Sequence, residues 1–144
     1  MMVPEELLAQ AQRTQRIFNI VMGSIAGLSL LVGGIGIMNI MLANVSERTR
    51  EIGIRRAIGA SKRDVLVQFL IETVLVCLAG GAIGTLLGFA MAEGITMYAG
   101  WATGFSLSSV VLAFGTAATV GLVFGLFPAR RAAELHPVQA LRFE

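Results

Sequence analysis

The densest group of charged side chains in this sequence lies in one short segment, 46–64. The chain has eleven basic and nine acidic residues, and this segment holds nearly half of them: Glu47, Arg48, Arg50, Glu51, Arg55, Arg56, Lys62, Arg63 and Asp64. On a helix, Glu47 can pair with Arg50, and Glu51 with Arg55. Composition alone favours an ordinary loop at the inner leaflet of a membrane, whereas the interspersed acids and glycines favour a shaped surface that docks another protein.

The sequence offers little for other chemistry. The single cysteine, Cys77, lies in an apolar run, and no Cys/His cluster has metal-ligand spacing. His136 has no partner in the sequence, so we interpret both residues as structural. No GxxxxGK[ST] phosphate loop is present, since the only lysine, Lys62, follows Ser61 rather than glycine. We expect no catalytic, cofactor or metal site in this chain, and the net charge of +2 is too small to indicate nucleic-acid binding.

Long apolar runs flank the charged segment. Apolar residues make up 56% of the chain and charged residues 14%, against about 45–50% and about 25% in soluble domains. Three runs lack charge: Ile17–Ser46, Thr73–Ala92 and Gly94–Ala129. Each can supply the roughly 20 helical residues that cross a bilayer core, and none shows the alternation of a membrane strand. The predicted fold is all-α and integral to a membrane, with three transmembrane helices.

The distribution of basic residues predicts the topology. Six Lys and Arg follow the first run and three follow the third, while the connection between the second and third has none. The positive-inside rule therefore places 46–64 and the C-terminus in the cytoplasm. The predicted segments are an extracytoplasmic stalk end (1–16), transmembrane helix 1 (17–45), a cytoplasmic hairpin (46–64), transmembrane helix 2 (65–92), an extracytoplasmic turn (93–106), transmembrane helix 3 (107–128) and a cytoplasmic tail (129–144).

Local signals predict where several helices begin and end. Pro4 followed by two acids indicates a helix start, and the apolar seam that follows predicts one helix from about Pro4 to about Val45; the alternative is a frayed terminus. Gly59 is predicted to end a short amphipathic helix. Ser61 is predicted to cap the next helix together with Asp64.

Other predictions concern the membrane boundaries and helix packing. Glu72, near the inner end of transmembrane helix 2, is expected to reach interfacial water or a basic partner, and an outer aromatic belt is predicted from Tyr98, Trp101 and Phe105. Small residues at four-residue spacing allow close helix packing in lipid. The residues predicted to pack transmembrane helices 2 and 3 are Gly80, Gly84, Gly88, Ala117, Gly121 and Gly125. The competing use of these stripes is contact between copies.

Extended stretches of the chain resemble a known family. Residues 30–75 read LLVGGIGIMNIMLANVSERTREIGIRRAIGASKRDVLVQFLIETVL, and the chain ends GLFPARRAAELHPVQALRFE. Both stretches, in this order, closely resemble the C-terminal membrane half of MacB-type ABC transporter permeases, within the FtsX-like family. The lead-in PEELLAQAQRTQRIFNIVMGSIAG is similar to the family's entry from stalk to membrane.

The resemblance implies a role in mechanical transmission. It implies that the hairpin is a cytoplasmic coupling element against an ABC ATPase, whose interface residues would be Glu47, Arg48, Arg50, Glu51, Ile52, Gly53, Arg55, Arg56, Gly59 and Ala60. ATP and Mg would bind that partner, and a second permease copy, a periplasmic adaptor and an outer-membrane channel are further implied partners. The implied location is the bacterial inner membrane, and the implied work is efflux or extracytoplasmic mechanical work.

Alternatives stay open at this point. The resemblance also fits an FtsX-like regulator of cell-wall hydrolysis or a lipoprotein-release permease, and the glycine stripes allow a self-assembling three-helix membrane protein. The family's ATPase, first transmembrane helix and large periplasmic domain have no counterpart in this sequence. We therefore expect a fragment or a split subunit that does not hydrolyse ATP by itself.

Overall fold

The computed structural model describes residues 5–100 and 106–135, which form four helices: α1 (Glu5–Glu47), α2 (Thr49–Ala57), α3 (Lys62–Ala99) and α4 (Leu107–Glu134). These two ranges contain no strand. Within them α1, α3 and α4 are long and apolar enough to cross a membrane. The predicted all-α membrane fold with three long apolar helices is therefore confirmed.

The chain divides into two units, one ending at Gly33 and the other beginning at Gly34. In the first unit, residues 6–33 are one stretch of α1 in which every side chain is exposed. The second unit contains the end of α1 and the helices α2, α3 and α4. The prediction of one uninterrupted helix from near Pro4 to near Val45 is confirmed by the bounds of α1.

Local capping explains the hairpin between α1 and α3. The backbone of Gly59 has a φ of +113°, which side chains with a Cβ rarely adopt, so the chain turns here just after α2. The Ser61 hydroxyl then accepts a hydrogen bond from the backbone N–H of Asp64, and the Asp64 carboxylate accepts one from the backbone N–H of Ser61. The predicted helix stop at Gly59 and the predicted capping box are both confirmed.

Two helices extend further than the predicted membrane segments. Helix α3 continues through Tyr98 and ends at Ala99, and the C-cap that follows is Gly100, whose left-handed φ is +68°. Helix α4 continues through Pro128 to Glu134. Proline removes one backbone hydrogen bond and crowds the preceding turn, but Pro128 and the following Ala129 are buried, and this packing holds the last two turns in place. Trp101, Phe105 and His136 lie outside the described residues.

One apolar cluster forms where the four helices meet in the second unit. It consists of Met41, Val45, Ile52, Val65, Phe69, Ala129, Ala132 and Ala133. These residues come from all four helices, and each is nearly or fully buried. The buried cluster therefore lies against one face of the charged hairpin, while most of the surface of the long helices is exposed and apolar, as expected for helices that face lipid.

Helices α3 and α4 pack through the small residues of α4. A Cβ added at Gly125 would lie 2.8–3.0 Å from three atoms of the Thr73 side chain, and one at Gly121 would lie 3.0 Å from the Val74 Cα. Two turns further along α3, a Cβ at Gly81 would lie 3.0 Å from the Cβ of Ala117. A side chain at Gly125 would therefore force Thr73 or the helices to shift, and one at Gly121 or Gly81 would make a tight contact.

The glycine stripe of α3 does not make this contact. A Cβ added at Gly80, Gly84 or Gly88 would meet nothing within 4 Å. Helix α3 instead faces α4 with Thr73, Val74 and Gly81. The two helices are packed, as the sequence suggested, but α3 uses a different face from the one predicted.

Candidate functional site

The inner face of α2 lies on the apolar cluster. Ile52 and Gly53 are its buried residues, and Ile52 joins the cluster with Val65 and Phe69 of α3. A nine-residue helix is too short to be stable alone in water, so its position depends on these contacts and on the polar contacts beside them. Burial also means that Ile52 and Gly53 do not themselves present a surface to a partner.

Two arginines connect α2 and its N-terminal flank to α3. Arg48, the residue before α2, forms an ion pair with Glu72, with 3.2 Å between Nη1 and Oε1. Arg55 donates a hydrogen bond from Nη1 to the Gln68 side-chain oxygen at 2.8 Å. Both side chains are only partly screened from water, so each pair contributes modestly to stability. Together they connect the N-cap of α2 and a residue of its last turn to α3.

A third arginine connects α2 to α4. Nη1 of Arg56 donates to the carbonyl oxygens of Ala133 at 2.7 Å and Leu135 at 2.9 Å. These carbonyls belong to the last turn of α4 and its C-cap. The predicted interface residue Arg56 is therefore directed into the chain, away from the exposed face of α2.

The opposite face of α2 is exposed and partly apolar. Ile58 is 82% exposed and Ile54 is 45% exposed, and Arg50 and Ala57 are exposed on the same side. Both isoleucines belong to the charged hairpin between α1 and α3, outside the long apolar helices. An exposed apolar pair rimmed by charge is typical of a protein-docking surface. We call Arg50, Ile54, Ala57 and Ile58 the outer face of α2.

The remaining predicted residues lie at the two ends of this hairpin. Glu51 pairs with Arg55 at helical spacing, which confirms that predicted pair. No ion pair joins Glu47 to Arg50 within the described ranges. Gly59 is exposed at the turn and Ala60 is half-buried. Glu72 has a basic partner, as predicted, and the structure identifies it as Arg48.

The capping box also affects the ionisation of its acid. Hydrogen bonds from the Ser61 hydroxyl and the Ser61 backbone N–H, in that order, lower the pKa of Asp64 below its usual value. Asp64 lies in the hairpin, before the charge-free part of α3 begins. The ionised carboxylate is therefore favoured at the start of α3, where it also complements the positive end of the helix dipole.

Residues 23–137 match the family of FtsX-like permease C-terminal domains. The chain belongs to this family. It is 51% identical over 131 residues to the macrolide export ATP-binding/permease protein MacB of Bdellovibrio bacteriovorus, covering 91% of this chain and 20% of that protein. Against MacB of Escherichia coli O157:H7 it is 51% identical over 139 residues, covering 96% of this chain and 22% of that protein.

A shorter relative gives the same result. The ABC transporter permease YknZ of Bacillus subtilis is 46% identical over 140 residues, covering 97% of this chain and 35% of the relative. The chain thus spans about a fifth to a third of the length of these relatives. The family, together with three long apolar helices, shows that this is a membrane protein of the MacB/FtsX permease type.

Sequence reasoning missed the partners that hold α2 in place. Gln68 and the carbonyls of Ala133 and Leu135 accept hydrogen bonds from the arginines of α2. The spacing of a residue and its partner predicts contacts within one helix, such as Glu51 with Arg55. Arg56 and Leu135 are 79 positions apart, so no local pattern in the sequence indicates their contact.

Proposed function

We propose that this chain transmits conformational change from an ABC ATPase through a bacterial inner membrane, with α2 as the coupling helix. The observation that carries the proposal is the division of α2 into two faces. Its inner face is buried on the cluster and attached by arginines, and its outer face exposes Ile54 and Ile58. A helix that is firmly attached on one side and exposes an apolar surface on the other is suited to receive force from a partner.

The topology and partners belong to the same proposal. The basic residues of the hairpin and of the α4 end favour a cytoplasmic position for both, with the N-terminal part of α1 on the extracytoplasmic side. ATP and Mg would be bound by the ATPase. The MacB relatives have names that combine ATP binding with permease function, which supports an ATPase partner, and the family supports a second permease copy.

The work performed would be efflux or another mechanical task outside the membrane. Motion of the ATPase would displace α2, and the bonds of Arg48 to Glu72 and of Arg55 to Gln68 would pass this displacement to α3. Two of the relatives are named for macrolide export, which favours efflux through a periplasmic adaptor and an outer-membrane channel. Regulation of cell-wall hydrolysis or lipoprotein release would use the same coupling helix with different extracytoplasmic partners.

The substitution Ile58→Asp tests the docking role of the outer face. A charge at this 82% exposed position leaves the cluster intact but opposes burial in an apolar interface. We expect retention of the ABC ATPase, quantified by mass spectrometry after purification from native membranes, to fall by about tenfold or more, as for an interface hot spot.

Lys62→Asp is the matched control, because it also adds an acid to the hairpin, at an exposed position away from the outer face of α2. Acids are favourable at a helix N-terminus, so this variant should fold and retain the ATPase. Equal retention by Ile58→Asp and the unmodified chain would overturn the proposal.

A further inference from the structure

Arg56 is the most enclosed of the arginines in α2. It is half-buried, whereas Arg50 and Arg55 are exposed. One terminal nitrogen, which carries two hydrogens, donates to two backbone carbonyls of α4, those of Ala133 and Leu135. Its Nε is buried and has no hydrogen-bond partner in the described part of the chain. The guanidinium is therefore buried at its Nε and held at one terminal nitrogen.

The acceptors of this arginine are chemically suited to it. The last four carbonyls of a helix have no partner within that helix, and a cation near them also interacts favourably with the negative end of the helix dipole. Arg56 supplies both, from a different helix, to the end of α4. Hydrogen bonds from a charged donor are stronger than those between neutral groups.

The helical positions of Arg55 and Arg56 place them on either side of the buried face. Successive residues of an α-helix are about 100° apart. Ile52, the one large side chain that α2 buries, lies between the directions of Arg55 and Arg56, with the outer face opposite. Arg55 reaches α3 at Gln68, and Arg56 reaches α4. Helix α2 is thus hydrogen-bonded to α3 on one side of the buried Ile52 and to α4 on the other side.

We propose that Arg56 is a positioning residue that fixes the rotation of α2 about its own axis, so that the outer face is presented to the ATPase. Without Arg56, no side-chain hydrogen bond among the described residues would join α2 to α4: Arg55 would still hold it to α3, and Thr49 would hold its start to the end of α1. The later part of the helix could then roll about Ile52. Arg56 would then contribute to docking although it does not touch the partner. The inference rests on the proposed function for the identity of that partner.

Hydrogen exchange in the chain without its ATPase separates positioning from direct contact. In Arg56→Gln, we expect the amides of α2 to exchange about tenfold faster, which corresponds to the usual contribution of a hydrogen bond from a charged group. The amides of 73–92 in α3 should keep their exchange rates. A residue that only contacted the ATPase would leave all of these rates unchanged.

The second measurement is retention of the ATPase in complexes purified from native membranes. We expect Arg56→Gln to lower retention and Arg56→Lys to restore part of both the retention and the exchange protection, since an ammonium can still donate to a carbonyl. Arg130→Gln is the matched control, because it removes an exposed guanidinium from the same end of α4. It should leave both measurements unchanged.

The outcomes distinguish the inference from the proposed function. Unchanged exchange in α2 overturns the inference. Faster exchange with full ATPase retention also overturns it, provided that Ile58→Asp loses the ATPase. Full retention by Ile58→Asp overturns the proposed function and the positioning role together. If Arg56→Gln fails to fold, Arg56→Lys decides: partial loss of both exchange protection and retention supports the inference, and partial loss of retention with full exchange protection overturns it.

Discussion

The glycines of α4 and those of α3 have the same spacing but opposite environments. Gly121 and Gly125 lie so close to α3 that a Cβ would be tightly crowded at Gly121 and would collide with the Thr73 side chain at Gly125. Gly80, Gly84 and Gly88 recur at the same interval, and a Cβ at any of them would meet nothing within 4 Å. A four-residue repeat of small residues thus permits close approach, but it does not show whether a neighbour uses it.

The difference arises from what each helix presents to the other. Gly121 and Gly125 leave a groove on α4, and the α3 residues that pack into it are Thr73, Val74 and Cys77. Thr73 is fully buried, and its hydroxyl donates to the Phe69 carbonyl at 2.8 Å, so its polar group is satisfied within α3. Two glycine faces packed together would leave little side-chain contact, and one glycine face against larger residues gives more dispersion contact.

Gly125→Leu should have the largest effect on the folded chain. The added side chain would overlap Thr73. Because the Thr73 side chain is short and branched at Cβ, it cannot rotate out of the way, so the helices must separate. We expect a loss of about 1–3 kcal/mol in the free energy of unfolding. The buried Cys77, the single cysteine of the sequence, provides the measurement: its reaction with a thiol-specific fluorophore should begin at a lower temperature.

Gly115→Leu is the control for this prediction. It lies on the same helix, and a Cβ there would meet nothing within 4 Å. Its Cys77 reaction temperature should stay close to that of the unmodified chain. If Gly125→Leu and Gly115→Leu behaved alike, the close approach of α3 and α4 at Thr73 would be incorrect.

Features that depend on neighbouring residues could be predicted from the sequence. The hydrogen bonds of the capping box join positions three residues apart, and the turn at Gly59 needs only the tolerance of glycine for positive φ. The three long helices follow from charge-free runs of sufficient length. In each case the physical cause lies within a few residues, or in composition, and is visible in the printed sequence.

Features that depend on distant contacts could not be predicted. Arg56 satisfies carbonyls at the end of α4, and nothing near Arg56 distinguishes it from Arg50, which points outward. The partner of Glu72 is Arg48, although Lys62 and Arg63 are nearer in sequence. Helix α4 continues past Pro128 because its last turns are buried by the other helices. These contacts are decided by tertiary packing and cannot be predicted from the spacing of nearby residues.

Adjacent glycines of α3 offer a sharper test of the two environments. Gly81 faces Ala117 at 3.0 Å for an added Cβ, and Gly80 faces open space. Alanine is favoured over glycine in a helix by about 0.5–1 kcal/mol, so Gly80→Ala should raise the unfolding temperature slightly. Gly81→Ala should lower it relative to Gly80→Ala, because α4 must shift to accommodate the methyl group.

The pair is informative because the two substitutions are chemically identical. Their intrinsic effects on helix formation should cancel in the comparison, which leaves the contact with Ala117 as the difference. The Cys77 reaction temperature again provides the measurement. A lower value for Gly80→Ala than for Gly81→Ala would mean that α3 is rotated from the orientation seen in the structure.

Gly84→Leu should have the smallest effect. It adds a large apolar side chain to the open glycine face, where lipid or detergent surrounds it and no residue within 4 Å of the Cβ must move. We expect the free energy of unfolding to change by less than about 0.5 kcal/mol, as for an exposed site. A loss as large as that of Gly125→Leu would contradict this, unless it grew with protein concentration. Concentration dependence would show that a second copy covers this face, because stabilisation by association increases with the logarithm of the partner concentration.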